Sequence, residues 1–123
     1  MMRQGTQPIK GQDAMKYQID REIWSRLTIV EQMGSMHPVI QQAIRAYHEQ
    51  DHLLFARSLE EALGMFDATV EIASRRQAKG AIKEVLMAKN EFLRLFYLEH
   101  SPKEEASLER YFAYFAHAAE ATK

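Results

Sequence analysis

The sequence predicts an all-α protein: an antiparallel four-helix bundle with a kinked first helix and an N-terminal arm. Three observations predict it. Apolar residues recur at three- and four-residue steps through most of the chain, the period of helices with one buried face. No stretch alternates with a two-residue period between turns, so no sheet is expected. Two capping boxes and a few short polar breaks divide the periodic stretches into helices joined by connections short enough to make neighbours antiparallel.

The N-terminal region lacks that period. Met1 to about Asp13 mixes Gly5, Pro8 and Gly11 with polar residues, the pattern of a mobile arm. From Ala14 to Trp24 the apolar positions Met15, Tyr17, Ile19, Ile23 and Trp24 are irregular. A short helical or extended segment is expected there, laying the single tryptophan as a lid over one end of the core. Residues 1–24 therefore read as the arm and residues 25–123 as the helical domain.

Thr28-Ile-Val-Glu31 is a capping box and starts the first long helix. Val30, Met33, His37, Ile40, Ile44 and Tyr47 carry its period to about Glu49, interrupted by Gly34 and Pro38. A proline inside a helix removes one hydrogen bond and crowds the preceding turn, so a kink is expected between Met33 and His37. Gln50-Asp51 is the break before the central helix, with Asp51 as its N-cap. There Leu59, Leu63, Phe66 and Val70 form the predicted stripe, while Arg57, Glu60, Glu61 and Glu71 face away from it.

Ser74 is the expected cap of the third helix, whose predicted buried residues are Ile82, Val85, Leu86, Lys89, Phe92, Leu93 and Phe96. Lys89 is expected to run its aliphatic stem along the core and lift its ammonium into water. Ser101-Pro-Lys-Glu104 is the second capping box, with proline at the favoured first helical position. The last helix then places Leu108, Tyr111, Phe112, Phe115 and Ala119 on one face.

A chain of 123 residues supports one core without staples. Hydrophobic residues at 46% and charged ones at 27% match a globular domain. The formal net charge of −1 supplies no overall pull toward nucleic acid or anionic lipid. The absence of cysteine excludes disulfides, thiolate catalysis and cysteine-held metal centres. No apolar run is long enough for a signal or a membrane span, so a cytoplasmic protein with no membrane partner and no cofactor is expected.

Glu31-Gln-Met33, Ala43-Ile44, Ala62-Leu-Gly-Met-Phe-Asp67-Ala-Thr69, Ser107-Leu-Glu-Arg-Tyr-Phe112 and Phe115-Ala116 resemble a group of small prokaryotic all-helical proteins of about this length. The likeness runs from about Thr28 to Ala119. Most of these positions are apolar or alanine, so the resemblance implies a packing scheme and no activity. Asp67 and Thr69 are its polar marks.

Three patterns could carry chemistry. His48-Glu-Gln-Asp-His52 matches H-E-x-x-H, in which two histidines one turn apart hold zinc and the glutamate activates a bound water. This copy straddles the expected break between two helices, where two histidines on an exposed turn are the simpler reading; Glu71 is the only spaced candidate for a third ligand. Arg110 and His117 lie seven residues apart on one helical stripe with Tyr114 between them. The pattern resembles the Arg-x(4–6)-His motif of HEPN-domain ribonucleases, small helical bundles that place it late in the chain against a dimer partner. That resemblance implies RNA as substrate, with Arg110 steadying phosphate charge and His117 handling the proton. Arg75, Arg76, Lys79 and Lys83 cluster where the third helix begins and could bind an anion, or form a solvated face balanced by Glu60, Glu61 and Glu71.

The final helix carries more aromatic surface than one bundle can bury, because the Arg110-Tyr114-His117 stripe lies apart from Leu108-Phe112-Phe115. The expected function is therefore a non-enzymatic interaction module, a homodimer that pairs its last helices through Tyr111, Tyr114 and Phe115. The metal-independent ribonuclease is the alternative, and a metal-binding protein at His48 and His52 the third reading.

Overall fold

The structure is a computed structural model that describes residues 19–121. The arm expected over the first residues, up to residue 18, lies outside them. Among the described residues the fold is all-helical and consists of five helices: α1 (Arg21–Ser25), α2 (Ile29–His48), α3 (His52–Arg75), α4 (Lys79–Tyr97) and α5 (Pro102–Ala121). The short α1 carries Trp24, and of the short helical or extended segment expected up to that residue the described part is helical from Arg21. Asp20 caps it by accepting from the amides of Glu22 and Ile23, and it sets Trp24 into the core, where the indole N–H donates to Thr69 Oγ1 at 2.9 Å. The ring is therefore a bonded part of the core, and Thr69 is its partner.

The capping box at Thr28 and Glu31 forms in both directions. From it α2 runs as one helix through Gly34 and Pro38. Ser35, in the turn before the proline, donates its hydroxyl to the Glu31 carbonyl at 2.8 Å. Gly34 has a packing reason: a Cβ there would lie 2.9 Å from Ala116 Cα and 3.0 Å from the Phe115 carbonyl. Only a residue without a side chain lets α2 and α5 approach this closely. The two run in opposite directions, with Gly34 beside Ala116 near one end and His48 bonded to Glu105 near the other.

Asp51 caps α3 by accepting from the Leu54 amide. The connections before α3 and α4 share one design. Gln50 and Gln77 both take φ of 57°. The amides of Asp51 and Ala78 bond back to the Ala46 and Ala73 carbonyls, and those of Gln50 and Gln77 to Tyr47 and Ser74. That is a left-handed helix end of the Schellman type, with glutamine where glycine is usual. The second of these corrects the expected boundary. Ser74 does not cap the third helix but lies inside α3, and α4 starts from Ala78 with no side-chain cap.

The buried arc of α3 is Ser58, Ala62, Met65, Phe66, Ala68, Thr69, Ile72 and Ala73. Of the expected stripe only Phe66 is fully buried; Leu59, Leu63 and Val70 are half-buried. The helix is turned by somewhat less than one residue step of ~100° from the expected orientation, because it packs on α2 along one flank and on α4 along the other. On α3 the small residues Ser58, Ala62, Ala68 and Ala73 are buried, while the larger Leu59, Leu63 and Val70 sit at the margin. A similar correction holds on α4: its buried residues are Val85, Ala88, Phe92 and Leu95, while Leu86 is exposed. Lys89 reaches the margin and pairs with Asp67 Oδ1 at 3.2 Å.

The aromatic centre joins three helices, Phe66 of α3 meeting Phe92 of α4 and Phe112 of α5 at ring separations of 5.9 and 6.1 Å. Around it α5 lies along α2, α2 along α3, and α3 along α4. α4 and α5 meet at few points. That asymmetry opens a groove. No described helix is long and apolar enough to cross a membrane.

Candidate functional site

The opening between α4 and α5 is a cavity of about 750 Å³. Its apolar surfaces are Met87 and Ala88 of α4 with Leu108 and Tyr111 of α5, and its rim carries both signs of charge through Lys83, Glu84, Glu91 and Lys103. Sequence spacing explains which side chains arrive there. Gly80, Glu84, Met87 and Glu91 recur at three- and four-residue steps along one flank of α4, and Glu104, Ser107 and Tyr111 do the same on α5.

The Tyr111 hydroxyl donates to Glu84 Oε2 across the groove at 2.9 Å. Burial, then the Glu84 carboxylate, push the Tyr111 phenol above its usual range, which favours its neutral, donating form. The N-terminal end of α5 closes the groove at one end. Glu104 accepts the Ser101 amide at 3.0 Å, the carboxylate half of the predicted capping box, and also pairs with Arg94 of α4. The Ser101 amide first, then the Arg94 guanidinium, hold the Glu104 carboxyl below the usual carboxylate range. Acidic Glu104 and Glu105 also suit the positive end of the helix dipole.

The outer face of α4 continues the apolar surface. Met87, 60% exposed, stands at the groove rim, and Leu86 is exposed on the opposite shoulder with Ile82 and Lys83 beside it. On α5 Tyr114 is 68% exposed, one turn beyond Tyr111 on the same flank. Phe115 is largely taken by its own chain, packed on the core with Tyr111 and Tyr114 at ring separations of 5.2 and 5.4 Å. Of the residues expected at an interface, Tyr111 thus lines the groove, Tyr114 is exposed one turn beyond it, and Phe115 packs on the core.

The other candidate residues are distributed as follows. Arg110 and His117 are both exposed on the side of α5 away from the core, Arg110 donating to Ser107 Oγ at 3.2 Å. Neither lines the groove between α4 and α5. His48 ends α2 and His52 begins α3, with the turn between them. His48 bonds Glu105, and Glu71 is bound by Arg21 and Arg75. Among the described residues no three His, Cys, Asp or Glu side chains are arranged to hold a metal ion. The basic cluster is divided: Arg75 pairs with Glu71, Arg76 donates to the Ser25 and Leu27 carbonyls, and Lys79 and Lys83 lie on α4, Lys83 at the groove.

Sequence reasoning missed Glu84, Met87 and Leu108 as a site. The available signal was the adjacent Leu86-Met87 pair: two neighbouring residues of a helix point about 100° apart, so both cannot sit at the centre of one buried stripe. Comparison with protein-family models, curated proteins and solved structures finds no match for the chain.

Proposed function

We propose that this protein is a non-enzymatic helical interaction module that pairs with a second copy of itself through the face formed by α4 and α5. In this reading the four long helices make an antiparallel bundle, its first long helix kinked between Met33 and His37, and left open on one side. The observation that carries it is the groove with Met87 projecting beside it. Each copy offers both a cavity and a flexible apolar side chain to fill one, so two copies related by a two-fold axis satisfy both at once.

Size and charge agree with that occupant. Helices of 19 and 20 residues lying side by side present a face roughly 30 Å by 20 Å, the scale of the roughly 800 Å² per partner that stable complexes bury. A net charge of −1 gives two copies little mutual repulsion. Lysines and glutamates on one rim let a two-fold mate set unlike charges opposite each other. The pairing uses Tyr111 and Tyr114 of the final helix together with the α4 side of the groove. Static light scattering of the wild-type chain at tens of micromolar tests the proposal: a dimeric mass supports it, and a strictly monomeric mass rejects it.

A further inference from the structure

At the other end of the α5 first turn, three elements meet on one carboxylate. Glu105, its side chain 15% exposed, is approached by His48 Nε2 from the end of α2 at 2.8 and 2.9 Å and by His100 Nε2 from the α4–α5 connection at 2.5 Å. An ionised carboxylate only accepts, so both imidazoles present an N–H to it. His100, 12% exposed, also turns Nδ1 toward the Leu98 carbonyl at 3.4 Å. A carbonyl likewise only accepts. Both ring nitrogens of His100 therefore face acceptors, an environment matched by the imidazolium and not by a neutral ring, which carries a single N–H.

We propose that His100, Glu105 and His48 form a proton-operated clasp: with His100 charged the α4–α5 connection is held against α5 and α2, and loss of that proton releases it. The clasp adjoins the groove through Ser101, Lys103 and Glu104, which line the groove and lie between His100 and Glu105 in the chain. Its consequence, that groove shape and pairing follow pH, rests on the dimer reading above; the clasp does not.

The charged groups facing His100 are Glu105 and Glu104 of α5, with His48 of α2 reaching it through Glu105 and Arg94 of α4 through Glu104. The Glu105 hydrogen bond is the largest influence and raises the His100 pKa; burial works against it, and the Leu98 carbonyl and the two carboxylate charges add to it. A raised folded-state pKa gives stability that is complete below the unfolded histidine value of about 6.5 and is lost as pH rises through the folded value. For Glu105 burial pushes the carboxyl up, but the bonds and charges of His100 and His48 outweigh it and leave the pKa lowered, so its share is lost at acid pH.

The test is an NMR titration of the His100 ring in the full chain, with amide exchange over Lys103–Leu108 corrected for its intrinsic pH dependence. The clasp predicts that His100 titrates above an unfolded-peptide histidine and that first-turn protection falls as it does so. Glu105→Gln lowers the His100 midpoint from its wild-type value, and His100→Gln, with Glu105 intact, flattens the pH dependence of protection. A wild-type His100 that titrates at or below the peptide value, or one unmoved by Glu105→Gln, overturns the clasp. Sedimentation of the same wild-type samples tests the link to pairing: weaker association above the His100 midpoint supports it, and association equal at every pH overturns it. Absence of association throughout rejects the dimer and the link, while the titration still decides the clasp.

Discussion

The Tyr111 hydroxyl donates to Glu84 Oε2 across the one place where two long neighbouring helices, α4 and α5, barely touch. A tie at that point holds the groove at a defined width without filling it, leaving apolar surface on either side available to a second molecule.

Removing that tie should loosen the groove and leave the core intact. Tyr111→Phe keeps the ring contact with Phe115 and deletes one hydrogen bond to a charged acceptor at a partly exposed site. The expected cost is about 0.5–1.5 kcal/mol in urea unfolding. Ring packing being preserved, far-UV circular dichroism should not change. A cost above about 3 kcal/mol would show that the hydroxyl supports the core and not the groove.

Two glycines in helices should respond oppositely to alanine. At Gly34 the new methyl would meet the backbone of Ala116 and Phe115 at 2.9–3.0 Å. Backbone cannot step aside as a side-chain tip can, so Gly34→Ala should destabilise by about 1–3 kcal/mol despite its better helix propensity. At Gly80 nothing lies within 4 Å, and Gly80→Ala should stabilise by about 0.5–1 kcal/mol. Thermal melts of the two variants beside wild type give the comparison.

The helix ends at Gln50 and Gln77 hold a side-chain-bearing residue at φ 57°. L-residues pay for the left-handed region through their Cβ, and glycine does not. Gln50→Gly and Gln77→Gly should each raise stability by about 0.5–1 kcal/mol, reduced by the extra freedom glycine has when unfolded. The sites are far apart along α3, so the double variant should show the sum.

Acid should weaken the α5 start. Glu104 has its pKa lowered by the Ser101 amide and by Arg94. A carboxyl depressed in the folded state contributes stability that is present above its unfolded pKa and disappears as pH falls through the folded value. Unfolding free energy should therefore decline below the ordinary carboxylate range, and Glu104→Gln should make that decline shallower. A decline equally steep in the variant would assign the acid sensitivity elsewhere.

The helices were legible because local signals made them so: Thr28 with Glu31, Asp51, and Pro102 after Ser101 are caps or first-turn residues whose effect is confined to a few neighbours. The third helix start was misread because its actual signal is a glutamine in a left-handed conformation, which composition does not mark. The buried faces of α3 and α4 were read too far toward the large side chains. Ser58, Ala62, Ala68 and Ala88 are all buried, and small residues score as weak hydrophobic signals wherever they sit. Trp24 was expected as a cover; its bond to Thr69 needs residues 45 positions apart brought together, which no periodicity contains. The groove was hidden for a related reason: it exists because two helices do not pack, a property of the assembled fold. His100 and Glu105 went unremarked beside the more conspicuous His48 and His52 for want of any spacing pattern linking them to α2.

The most direct measurement is sedimentation equilibrium of wild type and Met87→Glu at matched concentrations. Met87 stands on the rim and contributes nothing to the buried core, so the variant should unfold like wild type while placing a charge where a partner's groove must close over it. Pairing through the α4–α5 face predicts a dimeric wild type and a folded, monomeric Met87→Glu. A Met87→Glu chain that associates as strongly as wild type would contradict it.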